Sequence, residues 1–383
     1  MEPFERLEQA LAERPKQLQQ AKESGVKMIG FSGLGYVPEE IIHALGACPI
    51  RLVRGGDPEP IAAAAGYMDR VLCPFSRAQF GYHILEEEQR YQMLDCFICA
   101  ITCQHMRRVA DAFEYYTDMP VFRFGVPHDY SSAPALQYYY AMLGELSSNL
   151  EQFLGTKVDE AKLRDSIILY NDMRKLLHDI SILRKNRPAP ITGKDFFKLM
   201  HASFYLDPRD MIEILEQLQA LLTAETTAPR DEGPRILLTG NMLAVGDYKV
   251  VDLIEQTGGA IVTEQFCGGV RHYDENVALN GDLIRGLAKR YLSGRAPGAF
   301  LRPSKQRLDL VARLAEQYAV DGVIWYQLRY CDTYNMEFFY FNTMMKKAGI
   351  PVLQLESEYD VEERGTLLNR IEGFMESLEG RAS

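Results

Sequence analysis

An α/β fold, two doubly wound parallel-sheet domains joined by helices, is what this sequence of 383 residues predicts. Three observations predict it. Short apolar, strand-like runs alternate with helical periodicity before Ala133, and the same alternation resumes after Pro234. Between them Ala133 to Leu154, Asp159 to Lys185 and Asp207 to Leu222 carry helical periodicity with few breakers. The stretch Thr226-Thr227-Ala228-Pro229-Arg230-Asp231-Glu232-Gly233-Pro234 is polar, carries proline and glycine, and marks the clearest boundary in the chain. The expected layout is therefore an N-terminal α/β domain over 1–155, a helical connector over 156–230 and a C-terminal α/β domain over 231–383. At 47% hydrophobic residues the chain is long enough for two cores.

Each element has its own signal. Residues 4 to 22 form a polar amphipathic helix, and Val26 to Gly33 is a strand ending in a Gly-rich turn. Pro38 to Gly46 has proline in its first turn, two acids near its positive end and glycine at its stop, the marks of a helix. His43 on it has no second ligand at helical spacing and reads as a packed or solvated side chain. Ile50 to Val53 is a short strand. Val71-Leu72-Cys73-Pro74 closes another strand-like segment before a helix over Phe75 to Glu88. The apolar run around Ile98 suits a strand buried on both faces, and the helix from Gln104 follows it. Val121 to Gly125 is the next strand. In the second half Arg235 to Gly240, Ala260 to Thr263, Val323 to Tyr326 and Val352 to Leu355 read as strands. Tyr248 to Thr257, Leu308 to Tyr318, Thr333 to Lys347 and Gly365 to Leu378 read as the helices between and after them. The Pro188-Ala189-Pro190 turn separates the second and third helices of the middle.

Charge and termini exclude several classes. A formal net charge of -11 argues against nucleic acid or an anionic membrane as the main partner, since both need a basic face. The first residues lack a secretory signal and no apolar run reaches a membrane span, so a cytoplasmic protein is expected. Seven cysteines, an odd number scattered through a long chain, read as metal ligands or buried thiols and not as a disulfide framework. Gly240 to Asp247 follows a strand and precedes a helix, but it has neither the Lys-Ser/Thr of a P-loop nor G-x-G-x-x-G spacing. These glycines more readily let the backbone approach some other group, or simply turn.

The cysteines carry the chemistry. Cys96 and Cys99 have C-x-x-C spacing, yet residues three apart on one strand point to opposite faces, so they do not easily share a site. Cys103 stands where a strand gives way to a helix, where unpaired N–H groups and the helix dipole are expected to lower its pKa. Cys73 and Cys331 stand at similar switches. Open parallel sheets bind ligands outside the carboxyl ends of their strands, so a cleft between the two halves would gather all three. Position leaves two readings open: three separately buried thiols, or three thiolates holding a [4Fe-4S] cluster with one iron left open.

An ordered set of short motifs adds to this. Gly46-Ala47-Cys48-Pro49, Leu72-Cys73-Pro74-Phe75, Ile101-Thr102-Cys103, Phe266-Cys267-Gly268-Gly269-Val270-Arg271, Asp321-Gly322-Val323-Ile324, Tyr330-Cys331-Asp332 and Ala348-Gly349-Ile350-Pro351 together resemble the 2-hydroxyacyl-CoA dehydratase family. That family also holds benzoyl-CoA reductase subunits and double-cubane cluster proteins. The resemblance covers nearly the whole chain. It implies a cluster in the cleft between the domains, held by Cys73, Cys103 and Cys331, an acyl-CoA substrate, a paralogous second subunit or a second copy as dimer partner, and a separate ATP-hydrolysing iron-sulfur activator. Gln104 departs from the pattern, where many members have aspartate.

The implied chemistry has a physical reason. A 2-hydroxyacyl thioester must lose a β-proton that is barely acidic. One low-potential electron added to its carbonyl makes a ketyl radical, which can expel the hydroxyl and acidify that proton, and an open iron serves as Lewis acid. Ser32, Glu39 and Glu40 in the first strand-turn-helix are candidate substrate contacts, beside their ordinary roles as turn hydroxyl and helix-dipole acids. A double-cubane [8Fe-9S] cluster is the alternative cofactor, and would draw on Cys48, Cys267 and one of Cys96 or Cys99 as well. A non-catalytic electron-relay or scaffold subunit is the alternative from a different class.

Overall fold

The computed structural model describes residues 2–33, 35–224, 233–293, 298, 302 and 304–382. Most of the polar boundary after Thr226, and Leu34 of the first Gly-rich turn, lie outside the described residues. The first half runs α1 (Pro3–Glu23), β1 (Met28–Ser32), α2 (Glu39–Ala44), β2 (Cys48–Leu52), α3 (Pro58–Ala64), α4 (Pro74–Leu85), α5 (Gln89–Gln92), β3 (Cys96–Ile101), α6 (Gln104–Tyr116) and β4 (Val121–Gly125). Its four strands make one parallel sheet in the order β2-β1-β3-β4. β1 is buried throughout and β3 at all but its last residue, so both read as unbroken apolar runs.

One strand-like segment is corrected. Val71-Leu72-Cys73 lies between two helices of the crossover from β2 to β3, outside the sheet. Asp69 turns the chain there by accepting from the Val71 N–H at 3.1 Å, and Val71 is 58% exposed. Cys73 is therefore not at a strand's end. It is the residue before α4, whose first position is Pro74.

The middle helices are α7 (Ala133–Leu154), α8 (Glu160–Leu183), α9 (Gly193–Ala202) and α10 (Pro208–Ala224). The second half adds β5 (Arg235–Gly240), α11 (Lys249–Gln256), β6 (Ala260–Gln265), α12 (Leu283–Ala288), α13 (Lys305–Gln317), β7 (Gly322–Leu328), α14 (Asp332–Lys347), β8 (Val352–Ser357) and α15 (Arg364–Ala382). Its sheet, also parallel, has the order β6-β5-β7-β8, which repeats the order of the first. The direction of strand addition thus reverses between β1 and β3 and again between β5 and β7, the positions where doubly wound sheets open a crevice.

Backbone contacts and buried charge hold the halves together. The Gly55 N–H donates to the Val245 carbonyl at 3.0 Å and the Val245 N–H to the Val53 carbonyl at 3.0 Å, a short parallel bridge from one half to the other. Gly56 and Gly246 cross there with φ of 96° and 104°, and a Cβ on Gly56 would stand 2.7 Å from the Gly246 carbonyl carbon. Only glycine allows that approach. Helix α8 reaches both halves with buried arginines. Arg174 pairs with Glu40 of α2, and Arg184 Nη2 donates to Glu264 of β6 at 2.7 Å.

Next to the glycine crossing, buried Asp247 accepts from the Tyr326 hydroxyl at 2.8 Å, and burial pushes its pKa up to about 6 from the ordinary 3.8. An acid whose folded pKa is raised adds stability below its unfolded pKa, and that stability is lost as pH rises through the folded value. At neutral pH the buried charge therefore costs on the order of 1–3 kcal/mol. Asp247→Asn is expected to raise the unfolding midpoint at pH 7.5, with the gain vanishing near pH 4. Equal gains at both pH values in denaturant titrations would contradict this.

Candidate active site

Cys73, Cys103 and Cys331 are each the residue that begins a helix, at the amino ends of α4, α6 and α14. All three line one cavity of about 430 Å³. The cavity opens at the carboxyl ends of β3, β5, β6 and β7, so both sheets contribute to it. The sequence dictates each placement locally. Cys103 closes the β3 strand and its sulfur accepts from the Met106 N–H at 3.5 Å. Pro74 supplies a first helical residue whose missing N–H is not needed. Tyr330 turns the chain after β7 with φ of 64°, a left-handed conformation that costs a bulky residue about 1–3 kcal/mol and lets Cys331 start α14.

Three helix amino ends aimed at one cavity favour negative charge within it. The free thiols nevertheless hold their protons. Burial pushes Cys73 up to about 12, against N–H bonds from Ser76 and Phe75 that pull it down, and the nearby Cys103 pushes it further. Cys103 is raised too, chiefly by burial, with the Met106 and His105 N–H groups opposing. The expected lowering of its pKa by the helix end is thus outweighed by desolvation. Cys331 lies well above its ordinary value, by burial and then by the neighbouring Cys73.

A fourth thiol, Cys267, lines the same cavity from the loop after β6, 3.3 Å from the Tyr334 hydroxyl. Burial raises its pKa, and Tyr334, Arg271 and Arg307 pull it down. Arg271 is buried on the Tyr36 ring face at 3.7 Å and donates to the Tyr291 carbonyl, while its Nε and Nη1 have no hydrogen-bond partner among the described residues. A buried guanidinium left this way gains from a nearby anion. His105 ties the edge of the cavity together. Its Nδ1 accepts from the Cys73 N–H at 3.1 Å, which places the ring proton on Nε2, 3.9 Å from Asp332 Oδ2. Asn241, just past β5, also lines the cavity, with Oδ1 accepting from the Leu328 N–H at 3.1 Å. The glycine turn after β5 thus delivers Asn241 and Met242 to the cavity.

The other candidates from the sequence stand elsewhere. Ser32 Oγ accepts from the Ala100 N–H at 2.9 Å and ties β1 to β3. Glu39 is buried against Arg51 at 2.8 Å, and Glu40 against Arg174 and the Tyr291 hydroxyl. None of the three lines the cysteine cavity; Glu39 lines a separate one with Cys48. His43 is packed, with Nδ1 3.0 Å from Ser166 Oγ. Cys48 lines a different cavity, while Cys96 and Cys99 are fully buried in β3. Cys99 donates to the Met106 carbonyl at 3.3 Å. The fold gathers four of the seven cysteines around this cavity. Gln104, where the sequence departs from the resembled pattern, lines the cavity beside Cys103.

Among the described residues no group of three or more His, Cys, Asp or Glu could hold a single metal ion.

Comparison with known proteins gives one consistent picture. The family model described as 2-hydroxyglutaryl-CoA dehydratase, D-component, matches residues 35–378. YjiM of Escherichia coli (strain K12), named provisionally as a dehydratase subunit, is 28% identical over 93% of both chains. A benzoyl-CoA reductase subunit of Thauera aromatica is 27% identical over 78% of this chain and 77% of its own. The (R)-phenyllactyl-CoA dehydratase beta subunit of Clostridium sporogenes is 23% identical over 96% of both.

Proposed function

Since the chain belongs to the 2-hydroxyglutaryl-CoA dehydratase D-component family, we propose that it is the iron-sulfur subunit of a 2-hydroxyacyl-CoA dehydratase-like enzyme. The observation that carries this reading is the meeting of Cys73, Cys103 and Cys331 at three helix amino ends around one cavity. Those residues fit a [4Fe-4S] cluster. Three thiolates would leave one iron open, and the three helix amino ends offset the charge. When bound there, such a cluster supplies a low-potential electron and a Lewis acid for a thioester carbonyl.

The chain's own residues then have separable tasks. Cys73 and Cys103 anchor from the first half and Cys331 from the second, so loading depends on the halves being in register. Phe75, Ile101 and Met242 make part of the wall apolar and exclude water. With Oδ1 committed to Leu328, Asn241 offers its amide N–H groups to a thioester oxygen. His105 keeps its proton on Nε2, towards Asp332. We propose as partners a paralogous chain or a second copy, in keeping with relatives named beta subunits, and a separate ATP-hydrolysing iron-sulfur activator. No described helix is long and apolar enough to cross a membrane.

A benzoyl-CoA reductase-like reaction is the second reading, favoured by the 27% identity to a reductase subunit. The double-cubane cluster stays the alternative cofactor, less favoured because Cys48, Cys96 and Cys99 do not line this cavity. The test is anaerobic incubation with activator, ATP and reductant, with 2-hydroxyacyl-CoA and benzoyl-CoA offered separately and products weighed by mass spectrometry. Loss of one water from the hydroxyacyl thioester supports the dehydratase. Gain of hydrogen by the aromatic thioester supports the reductase. A chain that binds no acyl-CoA would be the electron-relay or scaffold subunit, and turnover in air without activator or ATP would contradict both enzyme readings.

A further inference from the structure

A second cavity, of about 330 Å³, shares no lining residue with the one that Cys73, Cys103 and Cys331 line. It lies among α1, α2, the start of β2 and α8, and the turn from α9 to α10 closes it. Leu18, Phe204 and Leu206, all buried, give it apolar walls. Two of its polar groups are left unserved. Glu39 Oε2 accepts from Arg51 Nη2 at 2.8 Å, but Oε1 has no hydrogen-bond partner among the described residues, although Glu39 is only 5% exposed. The Tyr170 hydroxyl has none either, at 3% exposure. Burial, then Glu39 and Glu40, holds Tyr170 well above its ordinary pKa, so the hydroxyl keeps its proton beside that carboxylate. Buried polar atoms of this kind call for a partner.

Arg14 stands at the other end. Its Nε donates to the Tyr205 carbonyl at 2.9 Å and Nη1 to Gln17 at 3.3 Å, while Nη2 comes 3.9 Å from Cys48 Sγ. Among the described residues no carboxylate pairs with it. Glu39 is held level with Arg51 of β2, and Arg14 level with Cys48, three residues earlier on the same strand. About 10 Å of strand therefore separates the acid from the base.

We propose that this cavity binds a small monocarboxylate with a hydrogen-bond donor, hydroxyl or ammonium, at its far end. The carboxylate lies on Arg14, the carbon chain along the apolar walls, and the donor on Glu39 Oε1 and the Tyr170 hydroxyl. The reverse orientation sets carboxylate against carboxylate at Glu39, and a dicarboxylate does the same. Glu39, His43, Cys48 and Asp207 all line the cavity, yet among the described residues no three His, Cys, Asp or Glu could hold one metal ion. Water alone would fill the space with about ten molecules and leave the apolar walls wet. The volume is at the small end of ligand pockets and suits a short carbon chain. A surface groove shares His43, Gly46 and Arg209 with the cavity and gives it a way to solvent. None of the proposed cluster ligands takes part, so the failure of this site and the failure of the dehydratase reading are separable.

The full-length chain, purified anaerobically, is titrated by calorimetry with γ-hydroxybutyrate, γ-aminobutyrate and δ-aminovalerate. At least one is expected to bind with a Kd of about 1 mM or below, within reach of so few heavy atoms. Butyrate, which lacks the donor, and butan-1-ol, which lacks the carboxylate, should bind at least about 10-fold more weakly. The tightest probe tells hydroxyl from ammonium. Tyr170→Phe removes a hydroxyl that the fold does not use, and is expected to weaken binding about 5- to 10-fold with the unfolding midpoint unchanged. Arg14→Met should weaken it at least about 10-fold. A probe at ten times its Kd should slow iodoacetamide alkylation of Cys48 about tenfold, read on the Cys48 peptide, and at the same concentration about twofold or less in Arg14→Met. Binding by none of the three probes, which leaves a cavity for water only, would overturn the proposal. So would butyrate binding as tightly as the best probe, or Tyr170→Phe and Arg14→Met both binding like wild type.

Discussion

Cys331→Ser, purified without air, is expected to come off the column colourless, with iron falling from about four per chain to below about one and turnover lost. Of the three proposed ligands it alone comes from the second half, so a serine there removes the thiolate that ties a cluster to both halves. The fold should survive, because Cys331 is only half-buried and both sheets rest on apolar cores that the change does not touch. Cys267→Ser is the control. Cys267 already meets the Tyr334 hydroxyl and is expected to be dispensable for iron. Iron retained in Cys331→Ser, or lost in Cys267→Ser but not in Cys331→Ser, would contradict the ligand assignment. Brief exposure to air should act like the first variant, with the brown absorbance and turnover gone while far-UV circular dichroism stays nearly unchanged.

Arg174→Met is expected to lower the unfolding free energy by about 3–5 kcal/mol, since it leaves Glu40 buried and uncompensated between α2 and α8. Adding Glu40→Gln should recover most of that loss, because the cost is the orphaned charge and not the missing bond. Burial alone would raise the Glu40 pKa, but Arg174 and Arg290 more than reverse this and hold it below its ordinary 4.5. A depressed acid contributes stability above its unfolded pKa and loses it as pH falls through the folded value. The difference between wild type and the double variant should therefore shrink on acidification below about pH 4.5. Chemical denaturation across pH measures both effects. An Arg174→Met protein as stable as wild type would show that the pair is not what joins these helices.

Much of the architecture was legible in the sequence because strands buried on both faces announce themselves as unbroken apolar runs, as Met28 to Ser32 and Val323 to Tyr326 do. The helical start and stop signals at Pro38 and Gly46 were equally clear. Val71 to Cys73 misled because three apolar residues before a proline look like a strand end, and only the tertiary structure shows that no neighbouring strand is there to pair with. Helix α9 was missed although Thr192 caps it by accepting from the Asp195 N–H at 3.1 Å, a T-x-x-D signal that stood in the sequence. At the site, places next to helices pointed Cys73, Cys103 and Cys331 to one cleft, which they do line, while their choice as ligands came from the family resemblance. His105, Tyr334 and Asn241 were not assigned to the cavity, and Cys267 only under the double-cubane alternative, since segments after four different strands bring them together and no local spacing records it. Glu39 and Glu40 looked like cleft acids because their arginine partners, Arg51 and Arg174, lie 12 and 134 residues further along.

The most direct test of the central claim is the iron and acid-labile sulfide content of the chain purified under strictly anaerobic conditions. About four of each per chain, with a low-potential signal on reduction that disappears in Cys331→Ser, is the result expected of a cluster held by Cys73, Cys103 and Cys331. About eight iron per chain, or a protein that takes up no iron and sulfide on anaerobic reconstitution, would contradict it.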